Sequence, residues 1–184
     1  MKQQGFSLIE LLLVLAVIAA IAVTAFILYP KVQASRAATT ETANLNSIAA
    51  AVKGVYQNGR YGGLNNTIGV QAGFFPDAQA TKDATGTTVV TNQWDGAVTL
   101  ASSTSNGAAN AATNARYFSI TYAGVPKDVC SKLAMGASGN FGGIKIGTTV
   151  VGDNYAATPI VLTETNVVTE CNKAATSTMV FVTN

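Results

Sequence analysis

Hydrophobic residues are distributed very unevenly along this chain. From Phe6 to Tyr29 every position is apolar or neutral except Glu10, and the run from Leu11 to Tyr29 carries no charge. At about 1.5 Å per residue, the uncharged run forms a helix of about 28 Å, close to the hydrocarbon thickness of a bilayer. The pattern therefore predicts a membrane-spanning helix near the start of the chain.

Beyond Arg36 the apolar positions become periodic. They recur at intervals of three and four, at Leu45, Ile48, Val52, Val55 and Tyr56. The polar positions fall mainly on other faces, at Glu41, Asn44, Asn46, Ser47 and Lys53. This spacing predicts one apolar stripe packed on a sheet. A coiled-coil dimer is the alternative, but the apolar heptads are too few to sustain one.

The two patterns together predict one long helix from Phe6 to near Gln57. Pro30 removes one backbone hydrogen bond, so the helix is expected to bend there and continue. Asn58-Gly59 is a suitable stop, because glycine readily adopts the left-handed conformation that ends helices.

The remainder of the chain has the pattern of a β-rich head. Residues 59–93 are rich in Gly, Asn, Thr and Ala and are predicted to be connecting loop. Strands are predicted at Ala97–Leu100, Tyr117–Tyr122, Gly143–Val151, Ile160–Thr163 and Ser177–Val182. A short helix carrying Cys130 is predicted after Pro126. The fold class is therefore α+β, with a long helix packed on an antiparallel sheet, and Trp94 is interpreted as a packed side chain of the head.

Charged residues are few, with 11 basic, 9 acidic and no histidine. The basic residues are scattered, so nucleic acid is not predicted as a partner. Histidine is the commonest general base and metal ligand at neutral pH, and its absence argues against an enzyme. No catalytic, cofactor-binding or metal-binding set is predicted among the acidic candidates Asp77, Asp83, Asp95, Asp128, Asp153, Glu164 and Glu170.

The segment Gly5-Phe6-Ser7-Leu8-Ile9-Glu10-Leu11-Leu12-Leu13-Val14 resembles the processing and assembly motif of type IV pilins. The resemblance implies that a prepilin peptidase cuts after Gly5 on the cytoplasmic side and methylates the new N-terminal residue, Phe6. It also implies that Glu10 neutralises the N-terminal amine of a neighbouring subunit during assembly. The apolar helix would then remain in the product.

Other interpretations of these residues exist. An ordinary secretory signal cut after Val32-Gln33-Ala34 would leave a soluble head that starts at Ser35, although its apolar core would be longer than the usual 7 to 15 residues. Glu10 could simply reach the membrane interface, and Gly5 could be an incidental small residue. A carboxylate inside an apolar segment costs about 2.5–3.5 kcal/mol on insertion scales, which favours a dedicated role for Glu10.

Cys130 and Cys171 have no second CxxC pair that would suggest a zinc site. In an exported protein they should pair, and closing the loop would contribute about 4 kcal/mol in the entropy model. The alternative is two separate buried thiols in a cytosolic protein.

The region from Gln93 to Cys171 resembles the heads of type IVb or thin-pilus pilins. This resemblance implies that the segment between the two cysteines is exposed on the filament. The short leader resembles the type IVa branch instead.

The resemblance implies a leader at 1–5 that is removed and an N-terminal helix at 6–58. It divides this helix into a membrane anchor at 6–30 and an amphipathic half at 31–58. A head follows at 59–184, with its disulfide-bounded region at 130–171. The expected function is a structural subunit, a major pilin, of a type IV pilus used for adhesion, motility or conjugative contact.

The expected partners are further copies of the chain, the prepilin peptidase, the pilus assembly machinery and a receptor on a host or recipient cell. The expected location is the bacterial inner membrane before assembly and an extracellular pilus afterwards. The alternatives are a minor pilin, a type II secretion pseudopilin and, more distantly, a signal-anchored periplasmic enzyme or binding domain.

Overall fold

The computed structural model describes residues 7–83, 85–110 and 112–184. It divides the chain into two compact units, one up to Arg36 and one from Ala37 to Asn184. Helix α1 spans Leu8–Val55, so its first part belongs to the first unit and its second part to the second. The helix continues through Pro30, as predicted.

Within the second unit, α1 packs one face into the core of the head. Leu45, Ile48 and Val52 are fully buried, as the periodicity predicts. Val55 was predicted to share this stripe but is 64% exposed. It is the last residue of the helix, and the core beyond it is formed instead by Tyr61, whose ring packs 4.7 Å from that of Phe118.

The segment predicted to be loop contains three short elements. Helix α2 spans Asn66–Gln71, and strands β1 (Ala80–Lys82) and β2 (Thr88–Val90) form a separate antiparallel hairpin. The side chain of Asn65 caps α2 by accepting the Ile68 N–H at 3.0 Å. Elements of three to six residues are too short to show a hydrophobic period, so the prediction of loop was wrong there.

The main sheet has five antiparallel strands in the order β3-β4-β7-β5-β6. These are β3 (Val98–Ser103), β4 (Tyr117–Pro126), β5 (Gly143–Ile146), β6 (Thr149–Asp153) and β7 (Thr176–Thr183). The C-terminal strand β7 lies between β4 and β5 and joins them. Burial of Phe118, Ile120 and Phe181 on these central strands forms the core with α1.

Two of the predicted strands were wrong. Gly143–Val151 was predicted as one strand but is the hairpin β5–β6, which turns at Gly147, where φ is 57°. Ile160–Thr163 was predicted as a strand, but only Ile160 pairs, with Asp153. The chain then leaves the sheet because Thr163 caps a helix, with its hydroxyl accepting the Asn166 N–H at 3.3 Å.

Two helices connect the sheet strands. Helix α3 spans Lys127–Ala137 directly after Pro126, as predicted, whereas α4 (Glu164–Cys171) was not predicted. The long helix on an antiparallel sheet confirms the predicted fold class.

Glu41 was predicted on a polar face of α1 but is completely buried. Periodicity places an amphipathic face only approximately, and here the connecting segment covers the side of α1 that carries Glu41. Its Oε1 atom accepts the backbone N–H of Gln93, at 2.8 Å.

Candidate assembly site

The first part of α1 presents apolar side chains in every direction. The large hydrophobic residues named below are about half exposed or more. The most apolar 18 consecutive residues of the helix have a mean hydropathy of 3.1, and none of these residues is buried. The large hydrophobic residues are Leu8, Ile9, Leu11, Leu12, Leu13, Val14, Leu15, Val17, Ile18, Ile21, Val23, Phe26, Leu28 and Tyr29. By length and composition this helix is able to cross a membrane. An apolar surface of this kind is typical of a segment that contacts lipid or other helices.

Glu10 lies in the first turn of this helix. Its backbone N–H donates to the Ser7 carbonyl at 3.0 Å, and its side chain is exposed. The helix dipole favours a carboxylate at this end. Within residues 7–83, 85–110 and 112–184, no hydrogen bond or ion pair to the Glu10 carboxylate is found. Gly5 and Phe6, the predicted processing site, lie outside the described residues, and their roles remain predictions.

The two predicted cysteines are joined by a disulfide. Their Cα atoms are 5.8 Å apart, and both residues are buried, at 0% and 2% exposed. The bond ties the first turn of α3 to the last residue of α4. The intervening stretch, which contains the β5–β6 hairpin, is therefore closed into one loop of the head, and its unfolding is opposed by the cross-link.

The acidic residues of the head do not form a catalytic or metal-binding set. Among the described residues, no group of three or more His, Cys, Asp or Glu side chains is placed to hold a metal ion. Hydrogen bonds from the Thr85 side chain and the Thr87 backbone lower the pKa of Asp83. The pKa of Glu170 is lowered mainly by its hydrogen bond from Lys173, helped by one from Thr149. The carboxylates of Asp83 and Glu170 are therefore each held by local hydrogen bonds.

Two shallow depressions of about 280 and 240 Å³ adjoin Glu170 and Thr149. They lie between strand β6 and helix α4 and beside the β5–β6 turn. Their lining mixes threonine, serine and glycine with valine, isoleucine and alanine. The carboxylate of Glu170 is already bound by Lys173. Nothing in them resembles a reacting pair of side chains.

The sequence interpretation missed the cluster around Glu41. Gln79 is 2% exposed, and its Nε2 atom donates to Glu41 Oε2 at 2.7 Å and to the Tyr122 hydroxyl at 2.8 Å. Burial and the negative charge of Glu41 raise the pKa of Tyr122. One feature of the sequence could have indicated that Glu41 is buried: it lies one helical turn before Leu45, at the edge of the apolar stripe.

Two family models match the chain. One, described as PilS N terminal, matches residues 35–184, and one, described as the prokaryotic N-terminal methylation motif, matches residues 1–26. No curated protein matches the chain.

Solved structures have a similar fold. The type IV b pilin from Salmonella typhi is 24% identical, with 78% of this chain and 97% of that chain covered and a TM-score of 0.57. TcpA, a type IV pilin from Vibrio cholerae El Tor biotype, is 21% identical, with 81% and 99% covered and a TM-score of 0.52. The methylation motif, the head model and the shared fold agree, and the chain therefore belongs to the type IV pilin family, with a head that matches the PilS model.

Proposed function

We propose that this chain is the major subunit of a type IV pilus and polymerises through helix α1. In this proposal the leader 1–5 is removed after Gly5, Phe6 is methylated, and residues 6–30 hold the subunit in the inner membrane until assembly. The observation that supports it is the exposed, uncharged and mainly apolar surface that α1 presents from residue 11 to residue 29. A surface of that extent needs lipid before assembly and neighbouring helices afterwards.

We assign to Glu10 the role of pairing subunits during assembly. Cleavage before Phe6 creates a positively charged amine, and a neighbouring subunit's Glu10 would neutralise it once both are removed from water. An uncompensated charge left by breaking such a buried pair costs about 3–5 kcal/mol. The proposal is supported by the exposed position of Glu10 in the first helical turn and by its unpaired carboxylate in the described part of the chain.

The head supplies the filament surface in this proposal. Its fold likeness to two type IV pilins, one of them a type IV b pilin, supports a type IVb-like head. The region between Cys130 and Cys171 would face outward and contact a receptor on a host or recipient cell, in adhesion, motility or conjugative contact.

The test begins with the mature protein isolated from producing cells. Intact mass and N-terminal sequencing should return N-methylated Phe6. A mature N-terminus at Ser35 or an uncut Met1 would contradict processing by prepilin peptidase and with it the pilin mechanism.

Glu10→Ala then tests assembly separately from processing. The variant should reach the membrane and be cleaved, but sheared surface fractions should contain at least about tenfold less of it than of wild type, because the amine is left uncompensated. Glu164→Gln, an exposed carboxylate on α4, is the matched control and should assemble normally. In wild-type filaments this chain should be the predominant protein; trace amounts would indicate a minor pilin or a pseudopilin.

A further inference from the structure

Glu41 is a buried carboxylate whose hydrogen-bond donors, among the residues that the structure describes, are all uncharged. It is 0% exposed, and its oxygens accept from the Gln93 backbone N–H at 2.8 Å, Gln79 Nε2 at 2.7 Å and Asn44 Nδ2 at 3.2 Å. In the described part of the chain no Lys or Arg forms a salt bridge with it. A charge buried in this way is stable only while its hydrogen-bond donors stay in place.

Two of these donors come from the two legs of one hairpin. Residues 79–83 and 85–93, here called the arm, contain β1 and β2, with Ala80 paired to Val90. Gln79 begins the first leg and Gln93 follows the second, and the Thr91 N–H donates to the Gln79 carbonyl at 3.0 Å between them. Each leg is therefore held by a different oxygen of the same carboxylate, Oε2 for Gln79 and Oε1 for Gln93.

Apart from its base, the arm has little contact with the rest of the head. Its two strands form a sheet of their own that is not joined to the five-stranded sheet. Thr81 and Lys82 are exposed in β1, and of the residues in β2 only Val90 is buried. Few buried contacts and a solvent-exposed backbone are the features of a segment that can open locally.

The two legs differ in their other attachments. Asn92, on the second leg, donates from Nδ2 to the Ala123 carbonyl at 2.8 Å and accepts the Trp94 and Gly96 N–H groups. Gln79, on the first leg, has only Tyr122 besides Glu41 as a side-chain partner, and its own Oε1 is buried without one. The backbone N–H groups of Gln79 and Ala80 also donate to the Pro76 carbonyl, at 2.9 and 3.2 Å, but this contact is local to the first leg. In side-chain hydrogen bonds to the rest of the head the first leg is therefore the weaker attachment, and the second can act as a hinge.

We propose that the Glu41 carboxylate is a latch that holds the arm against helix α1, and that loss of its charge opens the arm while the rest of the head stays folded. The latch is intramolecular, and it acts whether or not the chain polymerises. Because Glu41 belongs to α1, a shift of this turn of the helix would move both legs together.

The experiment compares full-length proteins in detergent by hydrogen–deuterium exchange. Glu41→Gln keeps the shape of the side chain and removes its charge, so the amides of Thr91 and Gln93 should exchange about 10- to 100-fold faster, the equivalent of losing one charge-assisted hydrogen bond. Peptides from β4 and β5–β6 should change by less than about threefold. Trypsin should also cut at Lys82 faster in this variant than in wild type, whereas its rate of cutting at Lys145 should not change.

Two further variants separate a latch from general destabilisation. Asp77→Asn removes an exposed carboxylate just before the arm and should leave exchange unchanged. Glu41→Gln combined with Gln79→Glu restores a carboxylate–amide pair with the charge on the other side, so it should return arm exchange to within about threefold of wild type. Unchanged arm exchange in Glu41→Gln, equal acceleration across the head, complete unfolding, or no rescue by the double variant would each overturn the proposal.

Discussion

The two parts of helix α1 are both rich in apolar residues, yet they use them differently. Ile18, in the first part, is 57% exposed, whereas Ile48, in the second, is 0% exposed. From residue 11 to residue 29 the first part carries no charge and has exposed apolar side chains on every side, whereas the second part is apolar along one stripe with polar residues elsewhere. An all-round apolar helix is matched to an environment outside its own chain, and a one-sided helix to its own core. One continuous helix thus carries an exposed apolar surface at one end and part of the head's buried core at the other.

Removing the disulfide should have the largest effect on stability, and it should affect the head but not the first part of α1. Cys130→Ser combined with Cys171→Ser should lower the free energy of unfolding of the head by about 4 kcal/mol, because the unfolded chain regains the closed loop. Chemical denaturation of the full-length protein in detergent, followed by tryptophan fluorescence of Trp94, measures it. The helicity of the first part of α1 should persist after the head has unfolded. An unchanged midpoint would contradict a stabilising role for the cross-link.

The same substitution at two positions of α1 tests the comparison directly. Ile48→Ala should destabilise the head by about 2–5 kcal/mol, since it removes fully buried methyl groups and leaves a cavity. Ile18→Ala should leave the unfolding midpoint of the head within experimental error. Equal losses at both positions would mean that the first part of α1 also contributes to folding of the head.

Alkaline pH should affect the head through Tyr122. Its pKa is raised above 10.0 by burial and by Glu41, so the folded state favours the neutral phenol. This contribution is fully present below pH 10 and is lost as the pH rises above it, by at most about 1.4 kcal/mol per pH unit. The stability difference between wild type and Tyr122→Phe, measured by urea denaturation at pH 8 and pH 11, should therefore shift in favour of the variant. A pH-independent difference would contradict the assignment.

The smallest effect is expected from a helix cap in the connecting segment. Asn65→Ala should cost about 1 kcal/mol because it removes the side-chain acceptor for the Ile68 N–H. Gln71→Ala, at the exposed last position of the same helix, is the control and should change stability by less than about 0.5 kcal/mol. Equal effects would show that the cap does not contribute. A larger loss for Asn65→Ala than for Gln71→Ala would show that the cap of α2 stabilises the head, independently of the first part of α1.

Family membership confirms the prediction that the chain is a structural protein and not an enzyme. The absence of histidine already pointed that way, since no side chain in the sequence has an ordinary pKa near neutrality. The processing motif at Gly5 and Phe6 could also be recognised from the sequence, because it is a short, contiguous pattern. The roles of Gly5, Phe6 and Glu10 in processing and assembly stay predictions.

The sequence by itself determined the local features: the apolar run of α1, its stripe at Leu45 and Ile48, and the start of α3 after Pro126. Each depends on neighbours a few residues apart, so the pattern is visible in the chain. Only the tertiary structure decided the placement of β7 between β4 and β5, the departure of the chain from the sheet after Ile160, and the burial of Glu41. Those outcomes depend on partners far away in sequence. A carboxylate on α1 is exposed or buried according to whether Gln79 and Gln93 fold over it.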